Sequence, residues 1–372
     1  MRPGLLMTRI SPLDLQALAQ QIKDWGQALG FQQIAIADVH LGEHEAHLQR
    51  WLAAGFQGEM DYMARHGHKR SRPAELQPGT VRVITARMDY LPPDTAIVDV
   101  LQDASKAFIS RYTLGRDYHK LIRKRLTQLG RQIEEQIGPF GYRAFVDSAP
   151  VLEKALAEKS GLGWIGKHTL LLDRSAGSWF FLGEIFVDIP LPVDPPVRGH
   201  CGTCNACMEV CPTQAIVAPY QLDARKCISY LTIELHGPIP EPLRAPMGNR
   251  VFGCDDCQLV CPWNRFARYT QEADFLPRHQ LQDRSLVELF LWDEATYLQK
   301  TEGSAIRRIG YPRWLRNLAV GLGNAPSSEA VIKALWSRAQ HPSELVREHV
   351  HWALARHGQV PESAAPDPND QG

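Results

Sequence analysis

Apolar residues return every three or four positions at Leu15, Leu18, Ile22, Trp25 and Leu29, which marks one face of a helix that Gly30 ends. Ser11-Pro12-Leu13-Asp14 supplies its start: a capping serine, proline at the first helical position and an acid closing a capping box. QQIAIADV (32–39) and VRVITARMDY (81–90) then read as strands, with HEAHLQRWLAAG as a helix between them. A long basic amphipathic helix is expected from about Tyr118 to Ile137, followed by strands in YRAFVD, HTLLL and SWFFLGEIFVDI. This mixture of helices and strands predicts an α/β domain over residues 1–195.

The proline-rich stretch DIPLPVDPPVRGH (188–200) marks a boundary with a cysteine-bearing module, expected over 196–270. Beyond it the pattern is helical: SLVELFLW, SAIRRIGYPRWLRNLAVGLGN, SEAVIKALWSRAQ and SELVREHVHWALAR. Helical pairs at a period of about 35 residues resemble HEAT-type repeats over 271–358. Residues 303–358 carry eight Lys or Arg against three Asp or Glu, an excess suited to phosphates or simply to a solvated face. From Gln359 the composition is that of a disordered tail. The expected class is thus a multidomain α+β and α/β protein.

Over all 372 residues, 41 Lys plus Arg balance 41 Asp plus Glu, so global charge selects no partner and any basic surface is local. The N-terminus MRPGLLMTRISPLDLQ lacks the apolar core and cleavage site of a secretory signal, and no stretch reaches the roughly 18 uncharged apolar residues of a membrane span. A cytosolic protein without a membrane partner is expected, in a compartment where thiols stay reduced.

All eight cysteines lie between positions 201 and 261. Cys201, Cys204, Cys207 and Cys211 form C-x-x-C-x-x-C-x-x-x-C-P, and Cys254, Cys257 and Cys261 repeat it as C-x-x-C-x-x-x-C-P, with Cys227 upstream. Three thiolates at intervals of three wrap one face of a cubic cluster, and in two-cluster ferredoxins the fourth ligates the other cluster. Crossing the halves assigns one 4Fe–4S cluster to Cys201, Cys204, Cys207 and Cys261, and a second to Cys211, Cys227, Cys254 and Cys257. Paired C-x-x-C units also build zinc sites, the alternative reading, although zinc has no need of two C-P closures. A two-cluster module implies single-electron transfer to an acceptor elsewhere in the chain.

Common acceptor motifs are missing. GLGWIG (161–166) follows a helix and precedes a strand, the reverse of the dinucleotide-binding order. No G-x-x-x-x-G-K-[ST] loop occurs, and Asp38-Val39-His40-Leu41-Gly42 misses the D-x-H-x-x-G spacing of histidine-ligated cobalamin by one residue. Six blocks nevertheless resemble the epoxyqueuosine reductase family: GEMDYM (58–63), RDYH (116–119), VDSAPVLEKALAEKSGLGWIGKHTLLL (146–172), GSWFFLGEI (177–185), CISYLTIE (227–234) and CDDCQLVCPWN (254–264). The likeness covers nearly the whole chain; reductive dehalogenases and the human cobalamin-processing protein are more distantly similar.

What this resemblance implies is a cytoplasmic, monomeric enzyme that binds cobalamin and two 4Fe–4S clusters. It would reduce epoxyqueuosine to queuosine at the wobble position of tRNA, the last step of queuosine biosynthesis, drawing on an external low-potential electron donor. In that family cobalamin sits base-off with no protein histidine on cobalt, in keeping with the failed D-x-H-x-x-G match. Asp147 matches the family's proton donor, and a raised pKa would suit that role; its plain alternative is a helix cap. Asp117 is a second acid near the substrate, or the cap of the 118–137 helix. Tyr118 and His119 are expected to line the same pocket. Lys167 and His168 are placed to meet corrin amides or a substrate phosphate, and Arg70 to neutralise a phosphate, with solvated charge as the alternative for either cation. Ser229 and Tyr230 are expected where cluster meets cofactor, and Arg307, Arg308, Arg313 and Arg316 on tRNA. Two other classes compete: a dehalogenase-like reductase of a small molecule, and a ferredoxin-type electron carrier, which has no use for 195 preceding residues without cysteine.

Overall fold

The computed structural model describes residues 12–93 and 96–359, and its contacts divide the chain into two units, each assembled from three stretches. The first unit contains residues up to Pro93, Gly115–Arg225 and Asp255–Leu276; the second contains Asp94–Leu114, Lys226–Cys254 and the residues from Pro277 on. Where the sequence suggests successive domains cut at 195 and 270, these contacts interleave. The predicted Ser11 cap and the tail beyond Gln359 lie outside the described residues.

The first unit is built on four strands, β1 (Gln33–Asp38), β2 (Arg82–Asp89), β3 (Tyr142–Phe145) and β4 (Phe180–Val187), ordered β1-β2-β4-β3. Every neighbouring pair is antiparallel, so the N-terminal region is a mixed fold without the parallel crossovers that an α/β reading suggests. Its longer helices α1 (Pro12–Ala28), α2 (Gly42–Ala53) and α3 (Tyr118–Ile137) precede β3, and the start of α3 reaches the site. A fourth, α4 (Glu153–Lys159), follows it.

Strand β4 is buried along its full length, because both faces of the sheet are covered. One face takes α3, whose Ile122, Leu126, Leu129 and Ile133 recur at helical spacing. Gly183 lets that helix close in, since a Cβ there would stand 2.8 Å from a Leu126 methyl and 2.9 Å from one of Ile122. The other face takes α4: Leu156 packs with Val83, Phe145 and Phe186, and Ala157 with Leu162, Phe180 and Leu182. Alternation along the strand therefore directs Glu184 to the α4 side, opposite Thr85 of β2 and Phe145 of β3. The HTLLL segment contributes only Leu171–Leu172, paired with Trp164–Ile165 in a hairpin whose turn carries Lys167, His168 and Thr169.

The second unit pairs Phe108–Ile109 with Arg250–Phe252 in parallel and surrounds this ladder with helices. They are α5 (Ile228–Ile233), α6 (Leu286–Phe290), α7 (Glu294–Lys300), α8 (Gly310–Asn324), α9 (Glu329–Trp336) and α10 (Glu344–Arg356). Side-chain caps start three of them: Ser285, Asp293 and Ser328 accept from the backbone N–H of Glu288, Thr296 and Val331. The middle of α8 is the core, with Trp314, Leu318 and Leu322 packed among Val251, Leu286 and Leu354. Among the described residues no helix is long and apolar enough to cross a membrane.

Candidate functional site

The first cysteine run folds into a tight loop, in which the Cys204 N–H donates to the Cys201 carbonyl at 3.1 Å before the short helix Ala206–Val210. The spacing brings Cys201, Cys204 and Cys207 to one cavity of about 200 Å3, and Cys261 joins them from the second run. Cys211 and Cys261 are both extended, with ψ of 110° and 120°, as a following proline requires. All eight thiols are free of disulfides.

Burial pushes the Cys207 thiol up to about 11, helped by Cys201, Cys261 and Cys204 beside it, and burial also raises Cys261. Thiols crowded in this way resist ionising by themselves and are readily made thiolates by cationic iron, so the donor set fits an iron–sulfur cluster. No group of three or more His, Cys, Asp or Glu among the described residues converges as a single-ion site would. Of the other thiols, Cys211 and Cys257 belong to the first unit, and Cys227 and Cys254 to the second.

Lys167 braces the cysteine loop instead of meeting a phosphate or solvent. It is buried, and its ammonium donates to the carbonyls of Gly202 at 2.8 Å and Cys204 at 2.9 Å and to Asn205 Oδ1 at 3.3 Å. Three acceptors use all three donors of a lysine. His168 is buried as well. Burial first, then the Lys154 charge, pushes its ring down to about 4, so the imidazole stays neutral and its Nδ1 accepts from the Leu170 N–H.

A second cavity, of about 110 Å3, lies between α3, the start of α4 and β4. Its walls are apolar at Leu170, Leu171, Phe180 and Phe181, and its chemistry is carried by Asp147, Tyr118, Glu153 and Lys154. Tyr118 donates its hydroxyl to Asp147 Oδ2 at 2.5 Å while its ring stacks on Phe181 at 3.8 Å. His119 Nε2 stands 3.4 Å from the same oxygen, and its Nδ1 lies 2.6 Å from Asp117 Oδ1. Burial opposes the His119 charge, but the hydrogen bonds to Asp117 and Asp147 outweigh it and raise the ring to about 9. His119 is therefore an imidazolium at neutral pH.

Asp117, Tyr118, His119 and Asp147 thus meet as the sequence suggests, with Asp117 serving also as the α3 cap by accepting from the His119 N–H. Asp147 has a φ of +23°, a left-handed backbone that costs a non-glycine residue energy, and its side chain is 45% exposed. Its side chain stands at the pocket edge and does not cap α4, whose cap residue is Leu152.

Arg70 is buried, which removes the reading as an exposed loop charge. It donates to the carbonyls of Tyr62 and Met63, and its charge acts on Asp147. Two pocket residues, Glu153 and Lys154, and Glu184 buried in the adjoining strand are not singled out by the sequence. Glu184 had a signal, since it is the one charged residue in the apolar strand FFLGEIFV.

In the second unit, Ser229 and Tyr230 lie on α5 after Cys227, Tyr230 being buried. Of the four arginines, Arg316 is corrected: at 0% exposure it donates to the carbonyls of Leu231, Leu235 and Gly237, filling the end of α5. Arg313 is half-buried on the carbonyls of Ile309 and Ile233. Arg307 and Arg308 are exposed, Arg308 in an ion pair with Glu234.

Residues 200–264 match a family model described as a 4Fe-4S double cluster binding domain, and residues 70–148 match one described as epoxyqueuosine reductase QueG. The chain is 68% identical to an epoxyqueuosine reductase of Pseudomonas aeruginosa over 361 residues, covering 97% of this chain and all of that one. It is 60% identical to an epoxyqueuosine reductase of Escherichia coli over 346 residues, 93% of this chain and 91% of that one. Its fold matches a crystal structure of epoxyqueuosine reductase with an epoxyqueuosine-modified tRNA-Tyr stem loop at a TM-score of 0.84, with 24% identity over 92% of this chain and 91% of that one. The enzyme from Streptococcus thermophilus matches at 0.81, with 22% identity over 92% and 91%.

Proposed function

The chain belongs to the epoxyqueuosine reductase family, and from that premise we propose that it reduces epoxyqueuosine to queuosine in the anticodon of tRNA, with Asp147 as the acid. One observation carries the reading: Tyr118 and His119 present the Asp147 carboxyl to an apolar-walled pocket, in the same unit as the four-thiol cavity.

Removing an epoxide oxygen as water consumes two electrons and two protons. Cys201, Cys204, Cys207 and Cys261 would hold one 4Fe–4S cluster, and the cysteine spacing assigns Cys211, Cys227, Cys254 and Cys257 to the other. The apolar wall of Leu170, Leu171, Phe180 and Phe181 suits the face of a corrin, and the reading assigns Ser229 and Tyr230, next to Cys227 in sequence, to the same cofactor. When bound, cobalamin would supply reducing equivalents at the substrate and the clusters one-electron transfer from an external low-potential donor.

The protein's own residues handle the protons. Asp147 protonates the oxygen as the ring opens, Tyr118 fixes its carboxyl, and His119, held charged by Asp117, faces that carboxyl and steadies it once its proton has left. Residues 1–195 carry this chemistry, 196–270 the clusters, and the HEAT-like helices of 271–358 the RNA, which Arg307 and Arg308 contact from the surface and Arg313 from its edge. A monomer in the cytoplasm completes the reading. A dehalogenase-like reductase would lack a use for that RNA-facing surface, and a ferredoxin-type carrier for the pocket.

The test is anaerobic reconstitution with iron, sulfide, cobalamin, a strong reductant and an anticodon stem-loop containing epoxyqueuosine, the nucleoside product being identified by mass. Wild-type protein is expected to yield queuosine, and Asp147→Asn to bind both kinds of cofactor without turnover. Product from the Asn variant at the wild-type rate would remove Asp147 from the acid role.

A further inference from the structure

Glu184 is 1% exposed, halfway along a strand whose eight residues are all buried, and its Oε1 has no hydrogen-bond partner. A bare carboxylate in such a place costs several kcal/mol, whereas the neutral acid costs far less. Strand alternation turns this side chain toward α4, and the first residue of α4 is Glu153. The Glu153 carboxylate accepts the backbone N–H of Asp147 and lines the same cavity as the Asp147 side chain.

Three carboxyls therefore share one neighbourhood: Asp147 open to the pocket, Glu153 in its wall and Glu184 beneath. The cations in reach are Lys154, whose ammonium donates to the Thr169 carbonyl at 2.8 Å, His119, which contacts Asp147, and the buried Arg70, whose charge acts on Asp147. Like charges this close do not all ionise. Burial raises Glu153 and Glu184, and the charges of the neighbouring carboxyls raise them further; Lys154 and His119 oppose the rise at Glu153, but burial also pushes Lys154 down, and no cation offsets Glu184.

We propose that Glu153 and Glu184 form a proton store, holding one proton between them at neutral pH and returning it to Asp147 during turnover. The inference rests on the proposed reduction and completes its proton count. The first proton passes from the Asp147 carboxyl to the opening epoxide oxygen, leaving a hydroxyl and an Asp147 carboxylate. Glu153 then gives its proton to that carboxylate and keeps the electron pair. Asp147 delivers this second proton to the hydroxyl, which departs as water, while the two electrons come from the low-potential donor. Glu153 and Glu184 act through Asp147, so they are positioning residues that keep a second proton out of bulk water until it is needed.

The test has two arms. In substrate-free holoenzyme, infrared spectra with 13C-labelled glutamate are expected to show a protonated carboxyl at pH 7, lost or shifted in Glu184→Gln and in Glu153→Gln. In single-turnover assays the wild-type rate falls as the stored proton is lost at alkaline pH. Glu184→Gln removes a like-charged neighbour, so Glu153 gives up its proton more easily and the fall moves to lower pH, while Glu184→Asp moves it back. Cluster absorption checks that each variant is folded and loaded. Absence of a protonated glutamate at pH 7, or an alkaline limb that neither substitution moves, overturns the proposal. The infrared arm needs no substrate, so a protein that stores the proton yet leaves the epoxide intact separates failure of the activity from failure of the store.

Discussion

The Tyr118 hydroxyl lies 2.5 Å from Asp147 Oδ2, joining the first residue of α3 to the loop just beyond β3. A carboxyl on a strained backbone is thereby held from the side, with the phenol ring locked by its stack on Phe181. Tyr118→Phe keeps the ring and removes the bond. A hydrogen bond to a charged group is worth about 1.5–3 kcal/mol, so a loss of roughly 10–100-fold in turnover is expected with cluster content unchanged. Full activity would mean that the hydroxyl does not hold the acid.

His119 gives the protein a pH signature. Its folded-state pKa of about 9 exceeds the ordinary value of 6.5, so the folded form binds the extra proton. The stabilisation is complete below about pH 6.5 and is lost as pH rises through 9. Thermal unfolding measured across that window is expected to show a smaller decline in His119→Gln than in wild type. Equal slopes would show that the Asp117 and Asp147 contacts do not hold the charge.

Lys167 fastens the loop of the first three cysteines, so Lys167→Met leaves the carbonyls of Gly202 and Cys204 without their donor. Reconstituted protein is expected to lose iron faster under a chelator, as followed by visible absorption. An unchanged rate of bleaching would return Lys167 to a role in packing alone.

The four arginines of the C-terminal region divide by burial. Arg316→Ala strips donors from three carbonyls, two of them buried, and is expected to cost roughly 3 kcal/mol in denaturant unfolding. Arg307→Glu with Arg308→Glu should leave stability within about 1 kcal/mol and weaken stem-loop binding with a shallower salt dependence. RNA affinity that ignores the double reversal would move the RNA surface elsewhere.

Local signals were the legible ones. Asp117 before a basic amphipathic run gave α3 its observed limits, and cysteine spacing grouped the four thiols that share a cavity, because both depend on neighbours in sequence. Long-range partners decided the rest. Arg316 reads as surface charge until its acceptors, some 80 residues earlier, close over it. Lys167 reads as a ligand for a phosphate until the cysteine loop claims it. The antiparallel sheet could not be told from a parallel one by strand patterning, since β4 is covered on both faces and reads as a continuous apolar run.

The ladder of Phe108–Ile109 with Arg250–Phe252 has a practical consequence for anyone dissecting the molecule. Val251 and Phe252 pack into the same seam as Trp314 and Leu318, so a gene fragment beginning at residue 277 would encode helices with their inner surface bared to water. Such a piece is expected to aggregate on expression. A transplantable form of the second unit has to be stitched from three separated stretches of the polypeptide, which makes the intact chain the smallest convenient unit for engineering.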